Sequence, residues 1–209
     1  MRICVIAEKT PAQVAETLLG FSTDYRRDWE AWLTTSEDRK ASEFGRILRK
    51  WQATRPYPMR RPRSEAKHPP PFLDDLIEEA KPHLQAIRDL TLANMHRPTD
   101  PQVSALMALW QLFTNLSFRG QASCVGITKA VMLLTDGRLG PALDANVRRG
   151  LRIPRIYEPN KWILLLSDLG NDIRVFEEKN NVSLTEVVPR QLSHLGQGRI
   201  LDMILGPRG

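Results

Sequence analysis

The sequence has few cysteines and no long apolar run. Its two cysteines, Cys4 and Cys124, lie far apart, which excludes a disulfide framework and a CxxC metal or redox site. No stretch approaches the roughly 18 consecutive apolar residues of a membrane span. Charged residues also follow Met1 too soon for a signal peptide. We therefore expect a cytoplasmic protein with reduced thiols and no membrane partner.

Runs that alternate apolar and polar residues are also missing, so the sequence offers little from which to build a sheet. It has no metal-ligand cluster, no Ser-His-Asp order and no P-loop, which argues against the hydrolases and NTPases that need them. We expect neither a metal nor another cofactor. Hydrophobic residues make up 42% of the 209 residues, enough for a core.

Helical periodicity and helix start signals are abundant. Thr10-Pro11 and Asp100-Pro101 have the cap and first-turn residues of helices, and Ser183 to Glu186 form a capping box before a predicted last helical segment. We predict an all-α fold of two packed helical subdomains. The chain divides into an N-terminal helical segment, a proline- and arginine-rich basic loop and a helical core, at residues 1–54, 55–71 and 72–209.

Basic residues exceed acidic residues by 30 to 24, giving a net charge of +6. Such an excess favours a polyanionic partner such as nucleic acid. Residues 55–71 combine six prolines with five basic residues and one acid, so they predict an extended connection. This loop is either an inert linker or a grip on a phosphate backbone, through Arg60, Arg61 and Arg63.

Residues 123–150 contain the most informative pattern, a lysine and an aspartate on either side of an apolar helix. Gly126 either shapes an ordinary helix–helix turn or lets a helix N-terminus approach a phosphate closely. Asp144, after Pro141-Ala142-Leu143, either caps the next helix or is a carboxylate held beside a developing sugar cation.

Taken together, residues 123–153 resemble the helix-hairpin-helix DNA glycosylase superfamily. The segments that carry the resemblance are "CVGITKAVMLL", at the place of the hairpin and its helix, and "ALDANVRRGLRI", at the place of the catalytic segment. The resemblance implies that Gly126 is the second hairpin glycine and Asp144 the catalytic aspartate. It also implies that Arg148 or Arg149 is the arginine of the catalytic segment, and that Ser123, Gly126, Thr128, Asn146, Arg148 and Arg149 contact DNA.

The sequence departs from this family at the lysine position. Members that also cleave the strand have a Schiff-base lysine two residues after the second glycine, where this chain has Thr128. Lys129 comes one residue later, and one residue turns a helical side chain by about 100°. We predict Lys129 as a second site residue, in contact with a phosphate or pointing elsewhere, and expect no lyase step.

The leading hypothesis is a monomeric DNA N-glycosylase that removes a damaged or modified base from double-stranded DNA and leaves an abasic site. A role in repair, or in attack on hypermodified cytosines of phage DNA, fits this reaction. An extruded base needs an aromatic pocket, for which Trp51, Tyr57 and Phe118 are candidates. The alternatives are a non-catalytic helix-hairpin-helix DNA-binding protein and a helical protein with an acidic protein partner.

Overall fold

Helices form the regular structure of this chain, as predicted. The computed structural model describes residues 3–206, in which nine α-helices and short 3₁₀ turns are formed and no strand is longer than an isolated bridge. The helices are α1 Pro11–Leu19, α2 Thr23–Thr34, α3 Lys40–Lys50, α4 Leu73–Ala86, α5 Asp100–Phe113, α6 Cys124–Leu134, α7 Ala145–Leu151, α8 Pro159–Asn180 and α9 Gln197–Leu205.

Two predicted start signals act as expected, with one small shift. The Thr10 hydroxyl accepts from the Gln13 backbone N–H, and the Gln13 side chain accepts from the Thr10 backbone N–H, which closes a capping box before α1. Helix α5 begins at Asp100, so Thr99 rather than Asp100 precedes it as the capping residue. Local capping chemistry therefore sets where these helices begin.

The capping box at Ser183 forms but does not begin a helix. Glu186 donates its backbone N–H to the Ser183 hydroxyl and accepts from the Ser183 backbone N–H, at 3.3 and 2.8 Å. Residues 184–187 then form only a turn, and Pro189 follows. Pro189 and Gly196 are expected to break the last helical segment into short pieces, and they do, since a 3₁₀ turn spans Arg190–Leu192 and α9 begins at Gln197. Only the residues directly after the box are not helical.

Buried apolar side chains form one continuous cluster that runs from Ile3 to Met203. Trp110 and Phe113 of α5 lie inside it. Because one cluster spans the described residues, it does not separate the two predicted subdomains, which remain a prediction.

Four glycines bring α9 against the turn that follows α6. A methyl group on Gly198 would lie 2.4 Å from the Gly140 nitrogen, and one on Gly196 would lie 2.4 Å from the Gly137 carbonyl carbon. The Arg199 backbone N–H donates to the Gly137 oxygen across this contact, at 2.9 Å. Only residues without a side chain allow such a close backbone approach. The contact places α9 beside the segment that leads to Asp144.

The proline-rich segment is held by its own hydrogen bonds. The Arg60 guanidinium donates to the backbone oxygens of Asn115 and Pro71 at 2.7 and 2.8 Å, and Met59 pairs with Ser117 in an isolated antiparallel bridge. The extended connection predicted for residues 55–71 therefore packs against the end of α5. One of its basic side chains is used for this packing.

Candidate active site

Asp144 is a helix cap and also faces a cavity. Its Oδ1 accepts hydrogen bonds from the backbone N–H groups of Asn146 and Val147 at the start of α7, at 2.9 and 3.0 Å. Its Oδ2 has no hydrogen-bond partner among residues 3–206, and the side chain is half-buried. The two roles weighed for Asp144 are therefore compatible, since one oxygen caps the helix and the other is available.

The cavity beside Asp144 is a narrow slot of about 70 Å³. Aromatic side chains, small apolar side chains and charged groups line it together. We call it the slot and define it by Phe21, Tyr25, Trp51, Lys129, Met132, Ala142, Asp144, Asn146, Val147, Arg199, Asp202 and Gly206. The volume admits a few water molecules but no complete nucleoside.

A shallower cavity of about 390 Å³ opens next to the slot, and we call it the groove. It shares Tyr25, Trp51, Lys129, Asp144 and Asn146 with the slot. Basic side chains dominate the rest of its lining, which consists of Lys50, Gln52, Ala53, Arg55, Ser123, Val125, Ala145, Arg148 and Arg155. Asp144 is the acidic residue of this lining, and it lies where the two cavities meet.

Lys129 of α6 points into the junction of slot and groove. Its side chain is 8% exposed, and its Nζ donates to the Trp51 backbone oxygen at 2.6 Å. Burial lowers the pKa of Lys129, an effect opposed by the nearby charges of Asp144 and Asp202 and assisted by that of Arg199. The one-residue departure from the family pattern therefore leaves the amine beside Asp144.

Trp51 connects this junction to a second charged cluster. Its indole N–H donates to Asp28 Oδ2 at 3.0 Å, while its backbone oxygen accepts from Lys129. Burial raises the pKa of Asp28, but hydrogen bonds from Lys50, Trp51 and Arg46 outweigh burial and lower that pKa. Trp51 is thus fixed at both ends, and of the three predicted pocket aromatics it is the one that lines the slot.

Tyr57 and Phe118 line neither the slot nor the groove. Tyr57 is 48% exposed and packs beside Gly120. The Phe118 ring contacts the His68 ring, with their centroids 4.5 Å apart. The aromatic residues that line the slot are Phe21, Tyr25 and Trp51, so Tyr57 and Phe118 lie away from it.

The slot also contains a buried ion pair that sequence reasoning missed. Arg199 and Asp202 of α9 are joined by a short hydrogen bond from Arg199 Nη1 to Asp202 Oδ2, and Asp202 Oδ1 accepts from the Ala142 backbone N–H at 3.0 Å. Burial raises the pKa of Asp202, opposed by the Arg199 charge. The three-residue spacing of an arginine and an aspartate on a helix was the available signal for this pair.

Three of the residues predicted to contact DNA line the groove. Ser123 precedes α6, Asn146 lies in α7, and the Arg148 guanidinium donates to the Leu143 backbone oxygen at 3.2 Å while it faces the groove. Arg149 is exposed but is not part of the groove lining. Of the two arginines left open by the sequence, Arg148 is therefore the one beside the site.

Gly126 and Thr128 both make contacts within the protein, and their predicted DNA contacts stay predictions. A methyl group on Gly126 would lie 2.8 Å from the Ala53 backbone oxygen, so this glycine accommodates the chain's own backbone. The Thr128 hydroxyl donates to the Cys124 oxygen and accepts from the Leu143 backbone N–H, at 2.7 and 2.8 Å, with the side chain buried. That second bond fixes the segment immediately before Asp144.

The basic residues predicted to grip DNA from the proline-rich segment behave differently from one another. Arg60 binds the backbone oxygens described above, and Arg63 pairs with Asp75 and lies over the Phe72 ring. Arg61 is exposed and forms no ion pair with any residue in the described part of the chain. Because none of the three lines the groove, two of them serve mainly to hold the segment in place.

No family model, curated protein or solved structure matches this chain. The resemblance of residues 123–153 to the helix-hairpin-helix glycosylases therefore remains a prediction. Between residues 3 and 206, no helix combines the length and the apolar character that crossing a bilayer requires.

Proposed function

We propose that this protein is a DNA N-glycosylase that hydrolyses the bond between a damaged or modified base and its sugar. Hypermodified cytosines of phage DNA are among the bases we would test. The observation that carries the proposal is Asp144 Oδ2, which accepts no hydrogen bond from residues 3–206 and belongs to a residue that lines, together with Lys129, the point where a basic groove enters a narrow slot. The helix-hairpin-helix motif at residues 123–150 and the two-subdomain fold belong to this same proposal.

The groove has the chemistry expected for a DNA backbone. Arg55 and Arg155 are exposed, Arg148 is half-buried, and Lys50 shares its charge with Asp28. Basic side chains along one surface neutralise phosphates and release their counterions. Ser123 and the unpaired backbone N–H groups at the start of α6 add a positive helix end to the same lining. Double-stranded DNA bound by a monomer of the protein would place one nucleotide over the slot.

Asp144 would act on the sugar of that nucleotide. As the C1′–N bond breaks, its electron pair leaves with the base and positive charge develops on the sugar. The Asp144 carboxylate, held in place because Oδ1 accepts from two backbone N–H groups, stabilises that charge. Its other oxygen, Oδ2, can take a proton from the water that bonds to C1′, and the leaving base takes up a proton from solvent. The products are a free base and an abasic site.

Lys129 would support this reaction by its charge and position. Its Nζ is hydrogen-bonded to the Trp51 oxygen and faces the carboxylates of the slot, which keeps the Trp51 backbone and the junction in place. We propose a monofunctional enzyme, without strand cleavage. Borohydride trapping tests this point, because a covalent Lys129–DNA adduct would contradict it.

The test is incubation of the protein with duplexes that each carry one modified base, followed by alkali. We expect strand breaks at the modified position only after alkali, because an intact backbone at an abasic site is cleaved by base. Breaks without alkali would show a lyase step. No breaks with any duplex, together with tight and salt-dependent binding, would instead support the second candidate.

The second candidate is a non-catalytic DNA-binding protein with Asp144 only as a cap. The hydrogen bonds of Asp144 Oδ1 favour it, because they alone account for an aspartate before α7. This second candidate gives no role to Asp144 Oδ2 or to Lys129.

A further inference from the structure

One end of the slot has polar groups that the proposed hydrolysis does not use. Arg199 is 2% exposed, and its guanidinium lies over the rings of Phe21, Trp29 and Trp51 at 5.1, 5.1 and 5.5 Å. Its Nη1 donates to Asp202, but its buried Nε has no hydrogen-bond partner among the described residues. A buried N–H of a charged group without an acceptor is costly and calls for an explanation.

Asp202, beside this arginine, also has unused hydrogen-bonding capacity. Each carboxylate oxygen can accept two hydrogen bonds, whereas Oδ1 accepts one from Ala142 and Oδ2 one from Arg199. Both residues line the slot. The wall of the slot therefore holds an acceptor with spare capacity next to a guanidinium whose Nε lacks a partner, and a molecule reaches that buried Nε only where the wall moves.

The walls of the slot limit the size of that molecule. Trp51, Phe21, Met132 and Ala142 are at most 5% exposed and belong to the core, so they cannot move aside without a rearrangement of the packing. Tyr25 is only half-buried and is the wall that can turn outward. Starting from about 70 Å³, such a turn makes room for one flat ring more readily than for two fused rings.

We propose that the slot recognises a single-ring nucleobase, a pyrimidine, through paired hydrogen bonds to Asp202 and Arg199. This inference rests on the proposed function for the source of the base, which would be a nucleotide extruded from DNA. A pyrimidine edge presents an N–H donor next to an acceptor, the N4–H and N3 of cytosine or the N3–H and O4 of uracil. That pair matches an adjacent carboxylate and guanidinium.

The test uses free cytosine, uracil and adenine, which bind without any catalysis, in calorimetric titrations of the whole chain. The main variant is the double substitution Arg199→Met with Asp202→Leu, because apolar residues of similar volume can replace a buried ion pair without loss of the fold. The matched control is Arg174→Met with Glu178→Leu, an exposed helical ion pair of α8. Thermal melting establishes that each variant is folded.

We expect cytosine and uracil to bind at least about tenfold more tightly than adenine, because adenine offers a similar donor and acceptor at N6–H and N1 but brings a second ring that the packed walls do not admit. The main variant should lose that binding and the control should keep it. A further variant, Tyr25→Ala, removes the movable wall from a half-buried position and should bring adenine binding closer to that of cytosine. Tighter adenine binding by Tyr25→Ala would support the slot as the binding site even if the double variant does not fold.

Three results would overturn the inference: adenine bound as tightly as the pyrimidines, no binding of any base, or a folded double variant with unchanged binding. These are separable from failure of the proposed function. Pyrimidine binding by a protein that excises no base from DNA would contradict the glycosylase but support the slot assignment. Excision restricted to purine lesions would support the glycosylase but contradict the assignment of the slot to pyrimidines.

Discussion

Asp172 and Asp144 both accept hydrogen bonds from backbone N–H groups, but they differ in whether one carboxylate oxygen remains without a partner among the described residues. Asp172 of α8 accepts from Val5 and Ile6 with Oδ2 and from Ala7 with Oδ1, at 2.9, 2.8 and 3.2 Å, and its side chain is buried. Asp144 uses only Oδ1, and its other oxygen faces the slot. A carboxylate whose two oxygens are both engaged holds the fold, whereas one with a free oxygen at a cavity can also act on a ligand.

The charged residues near the two aspartates also differ. Near Asp172, Arg174 pairs with Glu178 on the exposed face of α8. Around Asp144, by contrast, lie Lys129, the Arg199–Asp202 pair and the basic lining of the groove. The predictions below test whether this contrast separates function from stability.

The largest expected effect is on catalysis, from Asp144→Asn. Asparagine caps a helix about as well as aspartate, so the stability should change by less than about 0.5 kcal/mol. Loss of the negative charge should lower the excision rate by about 10³-fold, a magnitude typical for removal of one electrostatic group from an active site. Single-turnover excision and urea denaturation measure the two quantities. Unchanged excision would reduce Asp144 to a cap.

The mirror-image substitution, Asp172→Asn, should affect stability instead. The amide cannot accept from three N–H groups as the carboxylate does, and its own NH₂ faces one of them. We expect a loss of about 2 kcal/mol in the free energy of unfolding. Excision per folded molecule should be unchanged below the new melting temperature. A loss of excision without a loss of stability would remove the distinction between the two aspartates.

DNA affinity should depend on the groove and not on the surface of α8. The double variant Arg55→Ala with Arg155→Ala removes two exposed cations from the groove lining. The slope of log affinity against log salt should become shallower by about 2, since each phosphate contact contributes about 0.9. Arg174→Ala is the control and should leave the slope unchanged. Equal effects from both variants would mean that the net charge alone attracts DNA.

The smallest expected effect concerns acid sensitivity and the cluster that fixes Trp51. The pKa of Asp28 lies below its ordinary value of 3.8, so its stabilising contribution is present above that value and is lost as the pH falls through the lower pKa of the folded state. Asp28→Asn should cost about 1 kcal/mol at pH 7. The difference from wild type in urea denaturation should shrink below pH 4. If the difference in the free energy of unfolding between wild type and Asp28→Asn stayed constant down to pH 2, the charge of Asp28 would not be its cause.

The features that sequence reasoning identified are those whose chemistry is local. Thr10 and Asp144 accept hydrogen bonds from residues two or three positions away, so their capping roles can be recognised from a short stretch of sequence. The capping box at Ser183 shows the limit of such signals. Its two hydrogen bonds form, yet a helix also requires the residues that follow to continue it, and Pro189 does not.

The composition of the slot could not be predicted because it depends on contacts between distant segments. Phe21 and Tyr25 belong to the N-terminal part of the chain, and Asp202 bonds to Ala142 across 60 residues. Tyr57 and Phe118 were equally plausible aromatics, since an amino-acid type does not reveal which cavity it faces. The structural role of Thr128 was missed for a related reason, because its buried bond to Leu143 joins residues 15 positions apart.

The close backbone contact between Gly198 and Gly140 has a consequence for synthesis of the protein. Asp144 and most of the groove lining precede α9 in the chain, but Arg199 and Asp202 are carried by α9 itself. Domains generally fold as units. Because Ile200 and Leu201 of α9 belong to the one apolar core, the slot and the groove are completed together, and only once α9 has been synthesised and has packed.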